Sequence, residues 1–199
     1  MKDVSACKQA QRRQGIAARR AMSAADRAAA DAAICAAILR SEVYRQADTL
    51  LLYAASGGEV DLTAVAEAAA HDGKRVAWPI CLPKHQMEAA APYTPDAWQV
   101  GAYGIPAPDP ARSEILPPES LALILAPCTA FDAACRRVGM GGGYYDRYLP
   151  RCTHAVCWAV AYECQRVTAA ATEPHDRRMD ACITERSLYN GTDNDGMVL

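Results

Sequence analysis

The chain has 199 residues, close to the size of one domain with a sizeable core. Its 21 Lys and Arg against 23 Asp and Glu leave a net charge of −2 and a pI near 6.1, so nucleic acid and acidic membranes exert no general attraction and any anion recognition is local. No stretch approaches the roughly 20 uninterrupted apolar residues of a membrane span, no apolar block marks a secretion signal, and the 9 cysteines lack Cys-x-x-Cys spacing, which predicts a cytoplasmic protein with reduced, buried thiols.

Residues from about Ser5 to Met22 read as a basic, alanine-rich helix carrying Lys8, Arg12, Arg13, Arg19 and Arg20. Ser23-Ala-Ala-Asp26 offers a fresh N-cap, with Asp where Glu usually closes the capping box. The helix it starts is expected to run to about Leu39 and to bury Ile34, Ala37 and Ile38, so that two helices precede any strand.

Thr49 to Ala54 is a short apolar run without polar alternation, as expected of a central strand covered on both faces. It ends in Ser56-Gly-Gly-Glu59. A helix with Asp61 as N-cap then reaches about His71, Gly73 closes it, and a strand follows over Arg75 to Pro79. Many prolines from Pro83 to Pro118 predict a long excursion with a short hairpin near Met87 to Ala91. Strands over Leu121 to Ala126 and Ala155 to Tyr162 flank a helix begun by Tyr144. The trio Cys152, His154 and Cys157 has the wrong spacing for a zinc knuckle. Strands alternating with helices imply an α/β fold of three layers, a mainly parallel sheet with helices on both faces. Ligands then collect beyond the carboxyl ends of the strands, where Glu59 and the segment after Ala126 would face one site. One domain is expected over 1–190, with 191–199 as a flexible tail.

The segment Arg136-Arg-Val-Gly-Met-Gly-Gly-Gly-Tyr-Tyr-Asp146 has the chemistry of an anion site. Glycines at 139, 141, 142 and 143 let backbone N–H groups approach a phosphate, and a helix starting at Tyr144 adds its positive end. Arg136 and Arg137 supply cations, and Asp146 is a carboxylate suited to a hydrated Mg²⁺. The loop lacks the Lys-Ser/Thr ending of a Walker loop, and Tyr144 stands where a dinucleotide fingerprint wants a third glycine. The bland alternative is a flexible turn between strand and helix.

Taken together, Lys8 and Arg12, Arg20-Ala-Met-Ser23, Gly58-Glu-Val-Asp61, Tyr103-Gly-Ile-Pro-Ala-Pro108, Ala130-Phe-Asp132, Arg137 to Arg147 and Glu173-Pro-His-Asp176 resemble the 5-formyltetrahydrofolate cyclo-ligase family. The resemblance implies a fold like that of the NagB/RpiA/CoA-transferase group. It also implies an enzyme that uses ATP and Mg²⁺ to close 5-formyltetrahydrofolate into 5,10-methenyltetrahydrofolate. No apolar stripe requires a dimer, so a monomer with small-molecule partners is expected. The formyl oxygen would attack the γ-phosphate and N10 would then displace phosphate.

The resemblance further assigns residues. Lys8, Arg12 and Arg136, with Arg137, Val138, Gly139, Met140, Gly141, Gly142, Gly143, Tyr144 and Tyr145, would bind ATP. Glu59 would hold the pterin beside Gly141, Gly143, Tyr144 and Tyr145. Arg137, Tyr144 and Asp146 would serve the chemistry, and Asp146 and Asp176 the metal, with Asp180 as a substitute. On the residues alone, Lys8 and Arg12 are a solvated helix face, Glu59 a loop acid and Asp176 a turn cap. Three positions depart from the family: Cys128 and Cys135 stand where glycines are usual, and Gly142 where some members carry Lys. These departures keep open an ATP-binding paralogue of the same fold acting on another substrate.

Overall fold

The computed structural model describes residues 3–191 and the backbone of 197–198. Helix α1 (Val4–Ala21) is capped by Asp3, whose side chain accepts from Ser5 N. Ser23 caps α2 (Ala24–Arg40) by accepting from Asp26 N, and Ile34, Ala37 and Ile38 are buried as the pattern predicts. Full burial of Ile34 and Ile38 stabilises the fold by roughly 2 kcal/mol each. A third helix precedes the first strand, contrary to expectation: α3 (Glu42–Gln46) is only five residues long, too short to show a period, and is started by the Ser41 side chain.

Strand β1 (Thr49–Leu51) is shorter than the apolar run that announces it. Helix α4 (Thr63–His71) begins two residues after Asp61, whose side chain accepts from Thr63 N and Oγ1. Strand β2 (Arg75–Leu82) is longer than expected because β3 (Gln86–Pro92) folds back on it, through a turn in which Lys84 and His85 take positive φ. The excursion continues through β4 (Trp98–Val100) and β5 (Pro106–Pro108), a separate ribbon, to β6 (Ser113–Leu116). Then come β7 (Leu123–Pro127), a second ribbon of β8 (Ala130–Phe131) and β9 (Arg137–Val138), and α5 (Tyr144–Tyr148). Strands β10 (Val156–Val160), β11 (Ala181–Ile183), β12 (Ser187–Tyr189) and β13 (Met197–Val198) complete the chain. Of the expected tail, 192–196 and Leu199 lie outside the described residues.

Among the described residues nine strands form one sheet in the order β13-β12-β11-β10-β7-β1-β2-β3-β6. The central strands from β11 to β2 run parallel, and antiparallel strands extend both edges. The two-residue period of a strand divides the apolar residues between two cores. Leu50, Leu52, Leu123, Leu125, Trp158 and Val160 meet Ile34, Ile38, Val65 and Ala69 of α2 and α4. Leu51, Ile124, Ala126, Cys157, Ala159 and Cys182 meet Tyr148 of α5, Leu149, Phe131 and Met179. This is the predicted helix-sheet-helix layering. No described helix is long and apolar enough to cross a membrane.

Candidate functional site

Helix α1 turns an unusual face inward: its buried residues are Lys8, Gly15 and Arg19 rather than a hydrophobic stripe. With Arg12 they fall on one face, at intervals of four, three and four residues. They meet the segments beyond the carboxyl ends of three parallel strands, β10, β7 and β1. Lys8 Nζ lies 2.7 Å from Glu173 Oε2 and 2.6 Å from Asp176 Oδ2, after β10. Arg12 Nε donates to Gly139 O at 2.8 Å. Gly15 packs on Thr129, after β7. Arg19 Nε donates to Gly57 O at 3.1 Å, after β1, with Nη1 3.6 Å from Glu59 Oε1. Gln11 adds a reciprocal pair, Nε2 to Ala169 O and Oε1 from Ala171 N, both at 2.8 Å. The helix is thus a strap over the site, and Lys8 is buried rather than solvated.

The glycine loop is held from both ends. Arg137 is buried, donates to Asp146 Oδ1 at 2.8 Å, touches Met179 Sδ and stands over the Tyr145 ring at 5.6 Å. Val138 O accepts from Thr129 N and from Thr129 Oγ1, each at 2.7 Å. Gly141 and Gly143 take positive φ, 105° and 66°, which a side chain would resist. Arg147 folds back to donate to the carbonyls of Gly142 and Gly143. Arg136 is half exposed, with Asp132 Oδ2 at 3.8 Å. Met140 is exposed. Since α5 is only five residues long, the dipole aid expected at its start is small.

The Ala130-Phe-Asp132 motif has a structural account. Buried Asp132 accepts from Arg136 N and Ala170 N, pinning the turn that delivers the two arginines. Asp176 is a turn cap as well as a partner of Lys8, since its Oδ2 accepts from Glu173 N at 2.6 Å. Despite the cost of burial, its bonds to Lys8 and Glu173 hold its carboxyl below the usual range. Burial also opposes the Lys8 charge, yet Asp176 and Glu173 raise its pKa above 10.5. Glu173, His175 and Asp176 have ligand atoms within 4.8 Å of one another. Asp146 stands outside that group, so the two acids expected at a metal do not converge there. Asp180 accepts from Cys157 N and ties β11 to β10.

Glu59 closes a tight turn, its Oε2 accepting from Ser56 N at 3.1 Å. Burial pushes its carboxyl up, and Arg19 offsets part of that rise. Tyr145 turns a buried hydroxyl without a hydrogen-bond partner toward the same region. Tyr144 has its hydroxyl 3.3 Å from that of Tyr103, and this hydrogen bond pushes its pKa to about 12. Trp78 and Trp98 pack edge to face on each other at 5.2 Å. Cys152 and Cys157 are buried in the core, and burial pushes their thiols to about 12 and about 11, so they read as packing residues.

Residues 4–185 match the model of the 5-formyltetrahydrofolate cyclo-ligase family. The chain belongs to that family. It is 33% identical over 137 residues to the 5-formyltetrahydrofolate cyclo-ligase of Haemophilus influenzae, covering 66% of this chain and 73% of that protein. It is 30% identical over 150 residues to the Escherichia coli K12 protein of the same name, covering 72% and 81%. A solved 5,10-methenyltetrahydrofolate synthetase from Aquifex aeolicus superposes with a TM-score of 0.82 at 26% identity, over 96% of both chains. Cys135 takes φ 60°, a left-handed conformation that favours glycine. Its side chain turns into the core and donates to Tyr189 O at 3.2 Å.

Sequence reasoning passed over Gly15 and Gln11, named Arg19 only as a helix charge, and named Tyr103 only as part of a motif. The signal for Arg19 was present: it continues the face of Lys8 and Arg12 by two further turns.

Proposed function

We propose that this protein catalyses the ATP- and Mg²⁺-dependent cyclisation of 5-formyltetrahydrofolate to 5,10-methenyltetrahydrofolate, with release of ADP and phosphate. The observation that carries the proposal is the strap α1, which sets Lys8 and Arg12 against the two loops that also present Asp176 and the Gly139–Gly143 backbone.

In this reading the cations and the glycine backbone bind the triphosphate, and Arg137, fixed by Asp146, stands where charge develops during phosphoryl transfer. Glu59 accepts two N–H groups from the planar edge of the pterin, and the Tyr145 hydroxyl is a donor free to meet the substrate. The chemistry of the donor set fits Mg²⁺: the Asp146 carboxylate keeps acceptor capacity beyond its Arg137 bond, and Asp176 would be released as an acid on the neighbouring loop if Lys8 turned to phosphate. Held there, Mg²⁺ would supply neutralising charge to the phosphate. The protein itself holds the formyl oxygen in line with the γ-phosphate and N10 near the formyl carbon, so orientation supplies much of the rate. No covalent bond to the enzyme is needed. The reading carries with it a cytoplasmic, monomeric enzyme whose partners are small molecules.

The test is near-ultraviolet absorbance of the methenyl product on mixing the protein with Mg²⁺-ATP and 5-formyltetrahydrofolate. A band that appears only with ATP supports the reaction. Tight ATP binding without that band would move the assignment to a paralogue acting on another substrate.

A further inference from the structure

Two arginines grip the turn that presents Glu59. Gly57 and Gly58 both take positive φ, 58° and 80°. A Cβ on Gly57 would stand 3.5 Å from Arg19 Nη2, and one on Gly58 would stand 3.5 Å from Arg27 Nη1. Arg19 is 2% exposed. Its Nη1 and the Nε of Arg27 are buried without a hydrogen-bond partner. A buried guanidinium that is only partly paired costs stability, and packing gives no reason to keep one. Its nearest acid is Glu59, whose side chain is 11% exposed and lies 3.6 Å from Nη1.

The groups that act electrostatically with Glu59 come from four elements. They are Arg19 of α1, Tyr53 after β1, Cys128 after β7 and Tyr145 of α5. Arg19 is the cation among them. Tyr53 and Tyr145 are phenols that burial holds neutral, and burial pushes the Cys128 thiol to about 12.

We infer that Arg19 is a positioning residue, which aims the Glu59 carboxylate and keeps it ionised in a desolvated pocket so that it accepts the paired N–H groups of a fused heterocycle. The inference rests on the assignment of Glu59 to the reduced folate. Two consecutive left-handed glycines give the turn little stiffness of its own, so the Arg19 bond to Gly57 O sets its height and the ion pair sets the carboxylate direction. Without Arg19, only the Ser56 N–H bond is left to oppose desolvation of Glu59, and the protonated form, which has lost an acceptor, takes over at higher pH.

The experiment is carbon-detected NMR titration of Glu59 in wild type and Arg19→Gln, with Glu59→Gln for assignment, alongside kcat and both KM values from pH 5.5 to 8.5. In Arg19→Gln the Glu59 midpoint is expected to rise by about one pH unit. The kcat/KM for the folate should then fall several-fold at the acid end of that range and recover toward the wild-type value as pH rises, with KM for ATP within about twofold of wild type. An unmoved midpoint, or a pH profile parallel to wild type, overturns the inference. A moved midpoint with normal turnover in both Arg19→Gln and Glu59→Gln overturns the role of Glu59, while methenyl formation by wild type leaves the reaction standing. Should Arg19→Gln fail to fold, Arg19→Lys keeps the charge but loses the bond to Gly57. A several-fold rise in folate KM alone supports the inference, and an equal rise for ATP, or none, overturns it.

Discussion

Gly15 passes so close to Thr129 that a Cβ at position 15 would stand 1.7 Å from the Thr129 carbonyl oxygen. That carbonyl also accepts from Gln165 Nε2, so it has little freedom to retreat. Gly15→Ala must therefore lift α1. Overpacking of this kind costs about 1–3 kcal/mol, with roughly 2–4 °C lost per kcal/mol in a chain of this length. Because Lys8, Arg12 and Arg19 ride on the same helix, kcat/KM should fall at least about tenfold for both substrates. Calorimetry and steady-state kinetics together check this: a variant with normal kinetics would mean that α1 is not the strap.

Asp146 pairs with an arginine that is itself buried, so Asp146→Asn does two things at once. It removes an acid from the proposed phosphate site and leaves Arg137 without its charge partner. Breaking a buried pair costs about 3–5 kcal/mol, and partial exposure of Asp146 places this case toward the low end. The single variant should be less stable and about 100-fold or more slower. Adding Arg137→Met should restore much of the melting temperature and none of the turnover. Recovery of activity in the double variant would refute a chemical role for the pair.

The Lys8–Asp176 pair makes a pH prediction. Asp176 has a folded pKa below its unfolded value, so its contribution is present above about pH 4 and disappears as pH falls through the depressed folded value. Lys8 has a raised folded pKa, so its contribution is present below about 10.4 and disappears above the folded value. Between about pH 5 and 9 the stability lost in Lys8→Met should be constant, of order 1.5–3 kcal/mol for a charge-assisted bond. It should begin to fall below about pH 4 and vanish once pH has passed the depressed folded value of Asp176. Urea titrations of both proteins across pH read this directly. Affinity for ATP should fall with Lys8→Met throughout.

Cys135 weighs strain against packing. Its left-handed backbone costs about 1–2 kcal/mol relative to glycine, while its buried side chain and its bond to Tyr189 O return a similar amount. Cys135→Gly should leave stability within about 1 kcal/mol of wild type and kcat unchanged. A large loss of either, measured by thermal unfolding and turnover, would show that the thiol does more than fill space.

The helical and turn features that were legible were local ones. Ser23 announces α2 because a cap and its acceptor lie three residues apart, and the buried stripe of Ile34, Ala37 and Ile38 repeats at helical spacing. Strand β2 was read short and β3 only as a hairpin. Their extent comes from pairing Trp78 with Ala90 and Ala90 with Ile115, partners that no local pattern joins. Helix α3 was missed because five residues carry no period.

At the site, the chain alone determined the glycine loop, its flanking arginines and the order of the motifs. Their chemistry is written in consecutive residues whose backbone freedom and charge hardly depend on what surrounds them. Tertiary structure decided which cation meets which acid: Lys8 with Asp176, Arg137 with Asp146, Arg19 with Glu59. It also decided that Lys8 and Arg19 are buried rather than solvated, and that Cys135 turns its thiol into the core. The physical reason is that these contacts depend on the order of parallel strands and on how closely α1 approaches their ends. That approach is set by a missing side chain at Gly15, which acts only when Thr129 is brought against it.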